Sequence, residues 1–200
     1  MTNDEWDLHR PRFDPAILCA EDIQTALTVL SGGVYDLYDK TRRERAARWL
    51  TRPDAAIFND DKTEVYLYRW HVVPRNDFAG VYMHVQVAHD PDSRGFHDHP
   101  YDSQATILAG TYVDETFDPL IMRWGTAIHR TYTKGQVVRR KAETLHRLRL
   151  YPGVPYTMTL FCTGPRRREK WGFVGEDMTW TPADANAEII NGIAAGRKAT

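Results

Sequence analysis

Two histidines separated by a single residue, with a third much later, constrain this 200-residue chain more than any other feature. His97 and His99 flank Asp98, and side chains two positions apart on an extended segment point to the same side. His146 lies in residues 144–150, where polar and apolar residues alternate as in a half-buried strand. We therefore expect three imidazoles to meet at one point. Three neutral nitrogens suit iron, zinc, copper or nickel and leave coordination positions open for a substrate.

The composition limits the classes of partner. A formal net charge of -1 gives no global reason to expect binding to nucleic acid or to an anionic membrane. Two cysteines, Cys19 and Cys162, are too few for a disulfide scaffold, which favours reduced thiols. The first residues are acidic and lack an apolar run, and no window reaches the ~20 apolar residues of a membrane span. We expect a cytoplasmic protein that is not attached to a membrane.

The first part of the chain has helical patterns. Asp14 and Pro15 suit a helix start, and apolar residues then recur at helical spacing until Gly32 and Gly33. A second helix is predicted from about residue 38 to residue 50. Its four arginines predict a solvated face rather than a ligand site; they are Arg42, Arg43, Arg45 and Arg48.

From residue 62 the pattern changes to short strands separated by turn residues. The predicted strands are 64–73, 81–88, 104–113, 126–133, 136–139, 144–150 and 156–162, with Gly110 as a bend or bulge. Short, evenly spaced strands are typical of a sandwich or barrel. We predict a mainly β, single-domain fold in three parts: an N-terminal helical segment (1–61) packed on the barrel, the barrel itself (62–180), and a partly helical tail (181–200).

The motifs resemble those of the cupin superfamily, in which a first motif carries His-x-His, a carboxylate and a glycine, and a second carries one histidine. Gly110 matches the closing glycine of the first motif, while Gly135 and His146 represent the second. Gln104 stands where the usual glutamate ligand would be, or Ser103 does in the shorter spacing of the motif. The resemblance implies a jelly-roll barrel, also called a double-stranded β-helix, and the loss of the glutamate leaves a three-histidine site.

That site is similar to the one in cysteine dioxygenase and its thiol dioxygenase relatives, over residues 66–165. The resemblance implies ferrous iron, O₂ as co-substrate, and Arg69 at the position where an arginine binds the substrate carboxylate. The Ser-His-Tyr relay of those enzymes is replaced here by Thr159, Phe161 and Thr163. The cysteine that some members cross-link is replaced by Gln104, so cysteine is not carried over as the substrate. The chain also looks like small bacterial and phage cupin-like proteins that have no settled activity.

The candidate site residues fall into three roles. The metal ligands are His97, His99 and His146. Gln104 is expected in the pocket, hydrogen-bonded to substrate or oxygen, and Tyr101 beside it as a proton donor; these are the catalytic candidates. The substrate-binding candidates are Arg69, Tyr68 and Arg166, although alternation leaves open an outward-facing Arg69, and Arg166 also fits a solvated turn. Asp102 is expected to orient an imidazole.

Three hypotheses of function follow. The first is a non-haem Fe(II) oxygenase that acts with O₂ on a small anionic molecule. The second is a non-redox enzyme, an isomerase, lyase or hydrolase, with zinc or manganese; nickel and copper are further alternatives for the metal. The third is a non-catalytic cupin that binds a metabolite. Nucleic acid is not an expected partner, and a homodimer is expected by analogy alone.

Overall fold

The computed structural model describes residues 11–32, 40–59, 61–118 and 126–183. The predicted C-terminal helix and residues 1–10 lie outside the described residues. Two helices precede the β region: α1 (Ala20–Ser31) and α2 (Lys40–Leu50). The strands, in chain order, are β1 (Ala55–Phe58), β2 (Val65–Val73), β3 (Gly80–Gln86), β4 (Phe96–His97), β5 (Tyr101–Ala109), β6 (Thr111–Phe117), β7 (Ile128–Thr133), β8 (Val137–Arg140), β9 (Leu145–Leu150), β10 (Thr157–Arg166), β11 (Gly172–Val174) and β12 (Trp180–Pro182).

The strands form two six-stranded antiparallel sheets. Sheet 1 has the order β1-β2-β3-β10-β5-β8, and sheet 2 has the order β12-β11-β4-β9-β6-β7. The sheets face each other, since Gln86 of sheet 1 donates to the carbonyl oxygen of Leu148 in sheet 2, and Arg140 of sheet 1 pairs with Asp114 of sheet 2. The predicted fold class is confirmed in its architecture, which is mainly β, with two sheets packed face to face and two helices before them. No helix in the described ranges has the length and hydrophobicity that a membrane crossing requires.

Gly110 is the point at which the chain passes from one sheet to the other. The predicted strand 104–113 is in fact two strands, β5 in sheet 1 and β6 in sheet 2. Gly110 has a φ of 73°, and a Cβ atom there would lie 2.2 Å from the carbonyl oxygen of Tyr156. Only glycine fits both the left-handed backbone and the close approach of β10. The bend predicted at this position is confirmed, and its role is larger than expected.

The N-terminal segment begins differently from the prediction. The Asp14 carboxylate accepts a hydrogen bond from the amide of Ala16, but the turn that it caps is a short 3-10 helix, Pro15–Ile17. Leu18 is extended, so α1 starts only at Ala20. Gly32 ends α1 in the left-handed conformation, with a φ of 90°. The arginines of α2 are exposed, in agreement with a solvated face.

The helices cover the outer face of sheet 1. Side chains of the helical segment and of the sheet form the largest apolar cluster; it includes Phe13, Leu27, Leu30, Leu50, Trp70, Met83, Val85 and Met158. We call the sheet 1 part of this cluster the helix-packed face. The other face of the same strands looks into the space between the sheets. Alternation along each strand therefore decides which residues reach the interior of the barrel.

Candidate metal centre

The three predicted histidines lie together. One ring nitrogen from each of His97, His99 and His146 is within 4.8 Å of the nitrogens of the other two. The ring centroids of His97 and His146 are 4.5 Å apart, and each lies 5.1 Å from the centroid of His99. The rings thus surround a single point.

The pairing of β4 with β9 produces this arrangement. His97 lies directly opposite His146 in the antiparallel register, so the two rings leave neighbouring strands side by side. His99 follows β4 two residues on and therefore projects to the same side as His97. Its amide donates to the carbonyl oxygen of Ala142 at 3.0 Å, which ties this segment to the turn before β9.

All three rings are held in the neutral form. Burial lowers the pKa of His97 to about 3 and lowers the pKa of His99 and His146 well below the ordinary value, and the positive charge of Arg140 adds to the effect. The Nδ1 of His146 lies 3.2 Å from the carbonyl oxygen of Thr144. Since a carbonyl only accepts, Nδ1 carries the proton and Nε2 keeps its lone pair. Neutral imidazole is the form that binds metal ions.

Asp98 holds the His-x-His segment from behind. Its Oδ1 accepts from the amide of Gly172 at 2.7 Å, and its Oδ2 accepts from the guanidinium of Arg168 and from the indole of Trp180 at 3.0 Å. The carboxylate is buried, and these donors lie on or beside β11 and β12. Three donors to one buried carboxylate leave it little freedom. Asp98 therefore fixes the backbone from which the first two histidines project.

The rings open onto a cavity of about 100 Å³ between the sheets, which we call the histidine cavity. Part of its lining is apolar, with Leu67, Ala105 and Phe161 from sheet 1 and Leu148 from sheet 2. Drug-sized ligands occupy pockets of about 300 to 1,000 Å³, so this cavity suits a molecule of only a few non-hydrogen atoms.

Arg69 lines the histidine cavity, as expected for a residue that contacts substrate. Its Nε donates to the Nε2 of His84 at 2.9 Å. Burial, together with the charge of Arg69, lowers the pKa of His84 well below its ordinary value, so His84 stays neutral and accepts this hydrogen bond. The His84 ring in turn stacks on Phe161, with centroids 5.2 Å apart. These contacts hold the guanidinium of Arg69 in place.

Two charged residues of the cavity were absent from the sequence-based candidates. Arg140 is buried, and its Nη2 lies 2.8 Å from the Oδ2 of Asp114. Asp90 accepts from the amide of Leu148 at 2.7 Å and lies 4.0 Å from the Nδ1 of His97. Burial raises the pKa of Asp90 to about 6. A signal for Arg140 did exist, because it alternates with Val138 and the two share the inward face of β8.

Gln104 is placed differently from the prediction. It lies on the outer face of β5, between the buried Ser103 and Ala105, and its Oε1 accepts from the Nε of Arg139 at 3.0 Å. It borders a surface groove rather than the histidine cavity. The expectation that Gln104 lies in the pocket is therefore wrong. Side chains alternate along β5, and since its neighbour Ala105 lines the cavity, Gln104 points to the other side. Asp102 likewise bonds to the amide of Ala142 rather than to an imidazole.

The other candidates divide between the cavity and the surface. Tyr68 belongs to the helix-packed side, where its ring meets that of Phe13 at 5.0 Å, so it does not line the cavity as a substrate-binding residue would. Arg166 is exposed and donates to the carbonyl oxygen of Arg168 within its own turn, which matches the solvated alternative. Tyr101 stacks on His99, with centroids 5.7 Å apart, and its role as a proton donor stays a prediction.

The donor set fits a divalent transition metal. Three neutral imidazoles are typical ligands of zinc, iron, copper and nickel, whereas calcium and magnesium prefer oxygen ligands. Among the described residues, the group of ligating atoms that lie this close together contains the three histidines and no carboxylate. His97, His99 and His146 would hold such a metal at the wall of the histidine cavity, where it would supply Lewis acidity.

Comparisons with known proteins give similarity of fold only. No family model and no curated protein sequence matches this chain. A conserved Streptococcus pyogenes protein of unknown function is 17% identical with a TM-score of 0.38, over 56% of this chain and 82% of its own. A cupin-like protein from Thermotoga maritima is 15% identical with a TM-score of 0.43, over 56% and 78% of the two chains. Lactobacillus farciminis oxalate decarboxylase, solved with formate, is 13% identical with a TM-score of 0.38, over 50% of this chain and 28% of its own. Likenesses this distant carry no information on activity.

Proposed function

We propose that this protein is a metal-dependent enzyme in which His97, His99 and His146 bind Fe(II), and that it acts with O₂ on a small anionic molecule. The observation that carries the proposal is the meeting of three neutral imidazoles, one buried and two partly buried, at the wall of a cavity between the two sheets. When bound, the metal supplies Lewis acidity and, as iron, the redox chemistry that O₂ requires.

The residues of the chain supply binding and exclusion of water. Neutral ligands leave the full charge of a divalent ion uncompensated, which favours an anionic partner in the open positions. Arg69, held by His84, is placed to pair with an acid group of the substrate. Phe161 and Leu67 make the cavity partly apolar, and a water-poor site strengthens each of these electrostatic contacts.

A non-redox zinc enzyme is the second candidate. Three histidines with an open position are also a catalytic zinc set, in which the metal activates a bound water. The absence of a carboxylate from the ligand group among the described residues favours this candidate as much as the first.

Metal content and oxygen uptake separate the two. The protein is purified without a metal-affinity tag, its metal is measured, and oxygen uptake is followed with Fe(II) and a panel of thiols and β-dicarbonyls. Iron with substrate-dependent uptake supports the oxygenase, and tightly bound zinc without uptake supports the second candidate.

The control uses two histidine variants. His146→Ala is expected to lose the metal, whereas His129→Ala, at an exposed position on β7, is expected to keep it. Equal metal content in both variants would contradict the site itself.

A further inference from the structure

Buried polar atoms without partners concentrate around the histidine cavity. Among the described residues, six such atoms belong to Ser103, Tyr112, Asp114, Arg140 and Thr157. Three of these residues, Tyr112, Arg140 and Thr157, line the cavity. More than about 90% of buried polar groups in proteins have a hydrogen-bond partner, so a group of unpaired ones at one wall indicates that something else binds there.

Arg140 is the strongest of these groups. The residue is 7% exposed; its Nη2 is ion-paired with Asp114, and its Nε has no hydrogen-bond partner. The Asp114 carboxylate lies 2.8 Å from Nη2 and stabilises the buried cation, but Asp114 itself does not line the cavity. Burial disfavours the charge, yet Asp114 and Tyr112 outweigh burial and raise the pKa of the guanidinium. Arg140 is therefore a charged donor at the cavity wall.

The Nε–H of a guanidinium is a charged donor that can form a charge-assisted hydrogen bond with a carboxylate oxygen. Arg69 differs from Arg140 in this respect, because the Nε of Arg69 already donates to His84. Arg69 is also only half-buried, whereas Arg140 lies inside the barrel. The hydroxyl of Tyr112 lies against the Arg140 guanidinium, and since a guanidinium only donates, the hydroxyl keeps its own proton for a bound carboxylate.

We infer that Arg140, assisted by Tyr112, binds the carboxylate of a small monocarboxylate in the histidine cavity. The size of the cavity sets the limit, since about 100 Å³ is well below the roughly 300 to 1,000 Å³ of pockets that hold drug-sized ligands. That this monocarboxylate is a substrate rests on the proposed function. The binding step itself does not require a metal.

Formate and acetate are suitable probes because both fit this volume. Their binding is measured by saturation-transfer NMR with metal-free protein and again with zinc-loaded protein. Arg140→Gln is expected to weaken formate binding about tenfold to a hundredfold, in keeping with the strength of a charge-assisted hydrogen bond. Tyr112→Phe is expected to weaken it about threefold to tenfold. Arg139→Gln, the next residue on the same strand but exposed, is the matched control and is expected to bind formate like the wild type.

Two results would overturn the inference: no formate or acetate binding by either form of the wild type, or equal binding by the wild type and Arg140→Gln. If Arg140→Gln fails to fold because Asp114 is left unpaired, the double variant Asp114→Asn/Arg140→Gln removes the ion pair as a whole, and Tyr112→Phe tests the same contact. Formate binding by metal-free protein that depends on Arg140 supports the inference even if His146→Ala shows that no metal binds. Metal binding with formate affinity that depends on Arg69 alone contradicts the inference and leaves the proposed function intact.

Discussion

The two faces of sheet 1 are built from the same strands and have opposite characters. On β2, Trp70 is fully buried against the helical segment, while its neighbour Arg69 lines the histidine cavity. On β10, Met158 packs on the helix-packed face, while Thr157 and Thr159 line the cavity. One face is apolar with large side chains, and the other carries charged and hydrogen-bonding groups.

This difference shows how the fold separates stability from chemistry. Burial of large apolar side chains stabilises the protein on the helix-packed face, where no titratable group is needed. On the cavity face, buried polar groups without partners cost stability, which is typical of sites that bind ligands. A shift of one residue in strand register would exchange the two faces completely, so correct pairing is a condition for both. Four predictions test this comparison.

The largest effect is expected on the helix-packed face. Trp70→Ala removes a fully buried side chain whose indole donates to the carbonyl oxygen of Trp49, and it leaves a cavity between the helices and sheet 1. We expect the free energy of unfolding to fall by about 3 to 5 kcal/mol, measured by urea denaturation. Trp70→Phe, which keeps most of the volume, is the control and should lose less. A loss below about 1 kcal/mol for the alanine variant would show that the helices do not stabilise the barrel.

Part of this architecture could be predicted from the sequence, for a local reason. The His-x-His spacing and the alternation of residues 144–150 fix which side of their strands the histidines occupy, and the register then brings them together. The bend at Gly110 could also be predicted, because glycine is the residue that fits a positive φ and a close backbone contact, and both occur at this position.

The rest depends on contacts between distant segments. Tyr68 and Arg69 were both expected to contact substrate, yet adjacent residues of a strand point to opposite faces. Sheet 1 is covered on both faces, so polarity alone does not show which face is the interior. Strands β1, β11 and β12 are only three or four residues long and have too few positions for a period-two pattern. The strand predicted at 136–139 stopped one residue before Arg140, which hid its inward position.

A smaller effect, on both stability and metal affinity, is expected at Asp98. The hydrogen bonds of this residue fix the backbone segment that carries His97 and His99. Asp98→Asn places an amide among the donors of Gly172, Arg168 and Trp180 and removes the negative charge they share. We expect a loss of about 1 to 3 kcal/mol in unfolding free energy and a loss of about 10- to 100-fold in metal affinity. Asp102→Asn, which changes a partly exposed carboxylate nearby, is the control for metal affinity. Unchanged metal affinity in Asp98→Asn would show that this contact does not position the histidines.

His84, on the cavity face, should make the free energy of unfolding depend on pH. The expected slope corresponds to about one more proton bound by the unfolded chain than by the folded protein. Burial, and then the charge of Arg69, hold the pKa of His84 below its unfolded value of 6.5. As the pH falls below about 6.5, the unfolded chain therefore takes up a proton that the folded protein does not, and stability decreases by about 1.4 kcal/mol per pH unit. In His84→Gln this contribution is absent, while the amide oxygen can still accept from Arg69.

Urea denaturation of metal-free protein between about pH 5 and 8 measures the difference in slope between wild type and His84→Gln. Asp90, whose pKa is raised to about 6, acts in the opposite direction in both proteins and cancels in the comparison. Equal slopes for the wild type and His84→Gln would mean that the folded protein protonates His84 as readily as the unfolded chain does.

The smallest effect is expected at Gln104, which sequence similarity placed in the pocket and the register places outside it. Gln104→Ala removes only the hydrogen bond to the exposed Arg139, so the free energy of unfolding should change by no more than about 0.5 kcal/mol. Because Ser103 and Ala105 carry the inward positions of β5, metal affinity and formate binding should equal those of the wild type. Arg69→Gln is the variant to compare, because it changes a polar residue on the cavity face. It is expected to weaken anion binding, whereas Gln104→Ala is not. If Gln104→Ala weakens formate binding as much as Arg69→Gln does, the assignment of inner and outer faces on β5 is wrong.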